Sequence, residues 1–248
     1  MKWILAGLLV LSGSAATAQA QPATPSTPPV TISLGARHAH VTPVRQGFTH
    51  TGGGNIDVAQ PAADTVVVTM TGVAVAGAHP CKDSVATLNF DLEQGLEISF
   101  EKPELKRAKI SLEGRVVGLL RSHGKGGGAA EQQSGCATIA SGSATLVTWN
   151  VPPHSVAASE NLSLNCREEP VSASVAAGKF SLHETFAVTA SHPRSLKLCK
   201  AASAEFAPDP ALDPLWISYW EPFHGAAKKD FGFQVTIKVT PDGDATGK

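Results

Sequence analysis

Residues 85–101 read VATLNFDLEQGLEISFE. Ala86, Leu88, Phe90 and Leu92 alternate with Val85, Thr87, Asn89 and Asp91; Leu96, Ile98 and Phe100 then alternate with Glu97, Ser99 and Glu101. In an extended chain, successive side chains point to opposite sides, so each apolar set falls on one face. The Glu93-Gln94-Gly95 step between the sets is short and contains glycine, which predicts a turn and makes the stretch a β-hairpin.

The same period of two recurs along the chain. Ala108, Ile110, Leu112, Val116 and Leu120 oppose Lys109, Ser111, Glu113 and Arg115. Phe180, Leu182, Phe186 and Val188 oppose Lys179, Ser181, His183 and Thr185, and Phe231, Phe233, Val235, Ile237 and Val239 oppose Gln234, Thr236, Lys238 and Thr240. Residues 65–76, TVVVTMTGVAVA, are rich in β-branched residues and suit a strand buried on both faces. Weaker strands are expected near 48–58, 137–149, 161–166, 171–177 and 195–200. No segment longer than about twelve residues keeps helical apolar spacing. The expected fold is all-β, an antiparallel β-sandwich of about ten strands with short irregular or helical insertions. Glu184 shares a face with Phe180, Leu182, Phe186 and Val188. Burying it is costly without a partner, so a cation, an open strand end or an outward bulge is expected there.

The N-terminal residues 1–20, MKWILAGLLVLSGSAATAQA, have the form of a secretory signal. Lys2 is followed by an apolar run from Trp3 to Leu11 and by Ala18-Gln19-Ala20. That run falls short of the ~20 residues a spanning helix needs. The expectation is cleavage near Ala20 and a secreted or periplasmic mature chain with no membrane span. Residues 21–45 then read as a Pro/Ser/Thr-rich spacer, 46–240 as the sandwich and 241–248 as a tail. A division into two smaller β domains would have its seam at 124–128, GKGGG.

Formal net charge is −1 and charged residues are 17% of the chain, which provides no basic footprint for nucleic acid. The four cysteines, Cys81, Cys136, Cys166 and Cys199, match no zinc-binding spacing. In an exported chain they read as two disulfides with three possible connectivities, of which Cys81–Cys136 and Cys166–Cys199 would each enclose a neighbouring group of strands.

Familiar catalytic signatures are missing. There is no G-x-S-x-G elbow. His183-Glu184 does not continue to H-E-x-x-H, because position 187 is alanine. The glycines near 124–128 lack a phosphate-loop sequence, and Asp242-Gly243-Asp244 lacks the ligands of a calcium loop. No cofactor is implied. His38 and His40, two apart in an extended chain, could chelate zinc or copper with His50 as a third ligand. Glu184, Glu205, Asp209, Asp213 and Glu221 are the acids from which a hydrolytic carboxylate pair could be drawn. Asn161-Leu162-Ser163 fits a glycosylation acceptor in a eukaryotic source.

Residues 212–224, LDPLWISYWEPFH, gather Trp216, Trp220 and the chain's only tyrosine, Tyr219, with Phe223 just beyond them. Such rings can stack on the apolar faces of sugars, or plug an open end of the sandwich. Taken together, the sequence points to a non-enzymatic, secreted or envelope-associated binding or structural module. A carbohydrate or cell-surface ligand would sit at Trp216, Tyr219 and Trp220. The alternatives are a secreted hydrolase with a carboxylate-based site and an exported metal-binding protein.

Overall fold

The computed structural model describes residues 28–77, 79–122, 128–133, 135–157, 160–194, 201–205 and 232–242. Among them the regular elements are all strands. In chain order they are β1 (Val30–Gln46), β2 (Phe48–Ala62), β3 (Thr65–Gly77), β4 (Ser84–Phe100), β5 (Ala108–Ser122), β6 (Ala129–Gln132) and β7 (Gly135–Ser141). They continue with β8 (Ala144–Val151), β9 (His154–Ala157), β10 (Asn161–Arg167), β11 (Val171–Val175), β12 (Gly178–His192), β13 (Ala201–Glu205) and β14 (Phe233–Pro241).

Two antiparallel sheets pack face to face as a β-sandwich. In sheet A, β1 pairs with β4 and β4 with β12; β6 and β7 share the next lane, and β9 and β8 the outer one. In sheet B, β2 pairs with β3, β13 and β14 share the lane between β3 and β5, and β10 and β11 both lie on the far side of β5. Each sheet therefore gives two of its lanes to two successive pieces of chain. The turn from β1 into β2, edge of sheet A to edge of sheet B, is made at Gly47, whose φ of 78° is open to glycine at little cost.

The facing apolar sets form one core that runs from Val30 to Val239. Trp149, Phe90, Phe186 and Phe233 are among its largest fully buried side chains. The indole of Trp149 on sheet A lies over Gly114 on sheet B. A Cβ added there would stand 2.1 Å from the ring. Strand β3 is buried on both faces from Val68 to Gly77, as its composition predicts.

The expected hairpin at 85–101 is instead one unbroken strand. The parity of the apolar set carries through Gln94, which points inward, 2% exposed, and donates from Nε2 to the carbonyls of Gly95 (2.9 Å) and Gly35 (3.0 Å). Gln94 and Gly95 are satisfied by the neighbouring strand, so no turn is needed. The sheet also begins earlier than the spacer expected over 21–45 allows. Strand β1 starts at Val30, and Val30 and Ile32 are core residues. Glu184 neither bulges outward nor finds a cation. It lies in regular register between Leu92 and Ala137, fully buried, with both carboxylate oxygens unpartnered.

The cysteine pairing is also corrected: Cys81, Cys136 and Cys166 are free. Cys81 is exposed in the β3–β4 connection, Cys136 lies on β7 of sheet A, and Cys166 lies on β10 of sheet B. Placement on separate elements, rather than sequence separation, decides their partners. Cys199 is outside the described residues.

Candidate functional site

The outer face of sheet B carries a recess of about 530 Å³ lined by Glu113, Gly114, Arg115, Asn165, Arg167, Gln234 and Thr236. Alternation explains the lining. With Leu112, Val116, Leu164, Phe233, Val235 and Ile237 turned into the core, the intervening side chains must face out. Register then brings them together: Arg167 stands opposite Arg115, Arg115 opposite Gln234, and Gln234 opposite Thr69. Arg115 donates from Nε and Nη2 to Oδ1 of Asn165 (3.2 and 3.1 Å), and Arg167 pairs with Glu113. Gln234 Nε2 donates to Thr69 Oγ1 at 3.3 Å. These are planar polar groups held by neighbours, the kind that orient a hydroxyl-rich ligand.

Trp216, Tyr219 and Trp220 lie outside the described residues, as do Asp209, Asp213 and Glu221. Their point of attachment is defined. Strand β13 ends at Glu205, opposite Val73 and Leu119; β14 begins at Phe233, opposite Met70 and Val116. The chain from 206 to 232 thus leaves and rejoins one lane of sheet B, and the residue after Phe233 is Gln234 of the recess. Val73 and Val75, on the face of β3 turned away from the core, are buried as a separate small cluster at the departure point.

The histidine pair is placed by a β-bulge. Register slips by one residue between Leu34 and Arg37, so that His38 faces Glu93 and His40 faces Asp91. His38 and His40 are exposed, and His183 Nε2 lies 3.5 Å from Asp91 Oδ1 in the adjoining strand. Strand β2 carries His50 in the other sheet, opposite Val75; its side chain is outside the described set. Among the described residues no group of three or more His, Cys, Asp or Glu could hold a metal ion. Of the candidate acids, Glu184 is sealed in the core, where burial pushes its carboxyl well above the ordinary value of 4.5.

One constellation has no counterpart in the sequence motifs. His154 on β9 stands directly opposite Gln132 on β6, with Nδ1 2.8 Å from Gln132 Oε1. Its Nε2 lies 3.6 Å from the sulfur of Cys166 on β10 of the other sheet. Positions 132, 154 and 166 form no recognisable spacing. Strand register and the meeting of two sheet edges assemble them, so only the fold reveals the cluster.

Comparison with protein-family models, with curated proteins and with solved structures found no match.

Proposed function

We propose that the chain is an exported β-sandwich binding module that holds carbohydrate against the outer face of sheet B. The observation that carries this reading is the polar recess at the root of the aromatic stretch, with Gln234 lining it one residue beyond Phe233. Arg115, Asn165, Glu113 and Gln234 offer donors and acceptors to sugar hydroxyls. Trp216, Tyr219 and Trp220 supply the rings that stack on the sugar's apolar face. Binding residues carried on connections over a rigid scaffold are common, because the scaffold fixes the ends while the connection is free to vary. Export rests on the signal-like segment 1–20.

The test is a pull-down of the mature protein on insoluble polysaccharides and cell-wall material, alongside Trp216→Ala, Trp220→Ala and Arg115→Ala, with a thermal melt of each. Retention of the wild type and loss in all three variants at unchanged melting temperature support the reading. Variants that melt many degrees lower, together with a wild type that is not retained, would make the aromatic stretch a plug and overturn it.

A further inference from the structure

We propose that Cys166, His154 and Gln132 form a thiol acyl-transfer site on the lateral side of the sandwich, where strand β9 of sheet A meets strand β10 of sheet B. Cys166 is the nucleophile, His154 its general base, and Gln132 the positioning residue. This site is separate from the recess on the outer face of sheet B, and it departs from the non-enzymatic expectation drawn from the sequence.

The hydrogen bonds fix the roles one after another. Gln133 is held to β12 by its N–H, which donates to the Ala187 carbonyl at 2.9 Å. The Gln133 carbonyl accepts from Gln132 Nε2, and this orients the fully buried amide with Oε1 toward His154. An amide oxygen only accepts, so His154 Nδ1 carries the proton that bridges their 2.8 Å separation. In the neutral ring, Nε2 is then the unprotonated nitrogen, and it is the one 3.6 Å from Cys166 Sγ. A nucleophile within reach of a base, with the base oriented by a third group, is the arrangement that activates thiols and hydroxyls on unrelated folds.

Other assignments fit less well. Cys166 and His154 are two donors, and no third His, Cys, Asp or Glu among the described residues joins them as a metal ligand. Cys166 is not in a disulfide. Both side chains are half-buried, and β9 and β10 are outer strands of their sheets, which leaves a lateral approach.

The substrate class is a reactive acyl donor, a carboxylic ester or thioester. The Sγ–H proton passes to His154 Nε2 as sulfur bonds to the acyl carbon. Collapse of the adduct breaks the bond to the alkoxide or thiolate, which leaves with the proton from Nε2. Water, losing a proton to the same nitrogen, then attacks the thioester; the acid departs and Cys166 recovers its proton.

The experiment uses the full mature protein and two probes, iodoacetamide and p-nitrophenyl acetate, with modified cysteines located by mass spectrometry. Cys81 and Cys136 serve as internal references. Although Cys81 is exposed, Cys166 should be alkylated about tenfold faster, and His154→Ala or His154→Gln should remove that advantage. Gln132→Leu should do the same, whereas Gln132→Glu, which still offers an oxygen to Nδ1 but, when ionised, loses the donor to the Gln133 carbonyl, should retain part of it. Acetate ester should leave an acetyl group on Cys166 and be turned over, and Cys166→Ala should abolish both. Thermal melts check that each variant folds. The proposal fails if Cys166 reacts no faster than Cys81, if both His154 variants leave its rate unchanged, if it is never acylated, or if it is recovered in a disulfide with Cys199.

Discussion

Phe186 on β12 and Phe233 on β14 stack across the two sheets, ring centroids 4.7 Å apart and planes within 4° of parallel. Trp149 leans on the same Phe233 at 5.8 Å, and Phe90 on Phe186 at 6.0 Å. Phe233 is also the residue at which the chain rejoins sheet B after the 206–232 stretch. Removing it therefore takes away both a core ring and the anchor of that return. Phe233→Ala should cost about 3–5 kcal/mol, read as a lowered midpoint in urea with an unchanged denaturant slope; Phe233→Leu should cost clearly less.

Gly114 marks where a side chain is excluded by geometry. Its missing Cβ is the space occupied by the Trp149 ring. Gly114→Ala should destabilise by about 1–3 kcal/mol through overpacking. Pairing it with Trp149→Phe should recover part of the loss, a coupling that a double-mutant cycle measures.

Glu184 predicts a pH dependence of definite sign. Burial raises its carboxyl well above the ordinary 4.5, so the folded protein keeps a proton that the unfolded chain releases first as pH rises. Unfolding is favoured accordingly, and this residue lowers stability progressively above the ordinary carboxyl range. Glu184→Met should be more stable than wild type by about 1–3 kcal/mol at neutral pH, with the gap narrowing as pH falls below that range. Urea titrations at two pH values decide it. A gap that stays constant with pH would mean the acid is not protonated in the fold.

The bulge on β1 lies just ahead of His38 and His40. It absorbs Ala36, so deleting that residue should leave Gly35 alone opposite Gly95, with Arg37 still opposite Gln94 and both histidines still facing out. The deletion should therefore melt close to wild type. Gln94→Leu, which strips the carbonyls of Gly35 and Gly95 of a buried donor, should melt clearly lower.

Periodicity made most of the sandwich legible. The parity of Ala86, Leu88, Phe90 and Leu92, the two-sided burial of β3 and the alternation of β14 from Phe233 onward all follow from which side chains must leave water. The same parity runs on through Gln94 to Leu96 and Ile98; a polar residue with a glycine beside it looks like a turn until a partner strand supplies its hydrogen bonds. Strand β1 was obscured for the opposite reason. From Ser33 to Gln46 it has no fully buried residue, and edge strands need little apolar alternation. The lateral Cys166–His154–Gln132 cluster left no trace in the sequence, because cross-strand register and the spacing of two sheets create it.

The shared lane of β13 and β14 has an evolutionary consequence. Glu205 and Phe233 keep register on both neighbours although everything from 206 to 232 intervenes, so the sandwich treats that stretch as a cassette. Loop closure grows only slowly more costly with length, and exchanging the cassette would leave the pairing on either side in place. Changes of length or composition between Glu205 and Phe233 can then accumulate without re-registering β3 or β5.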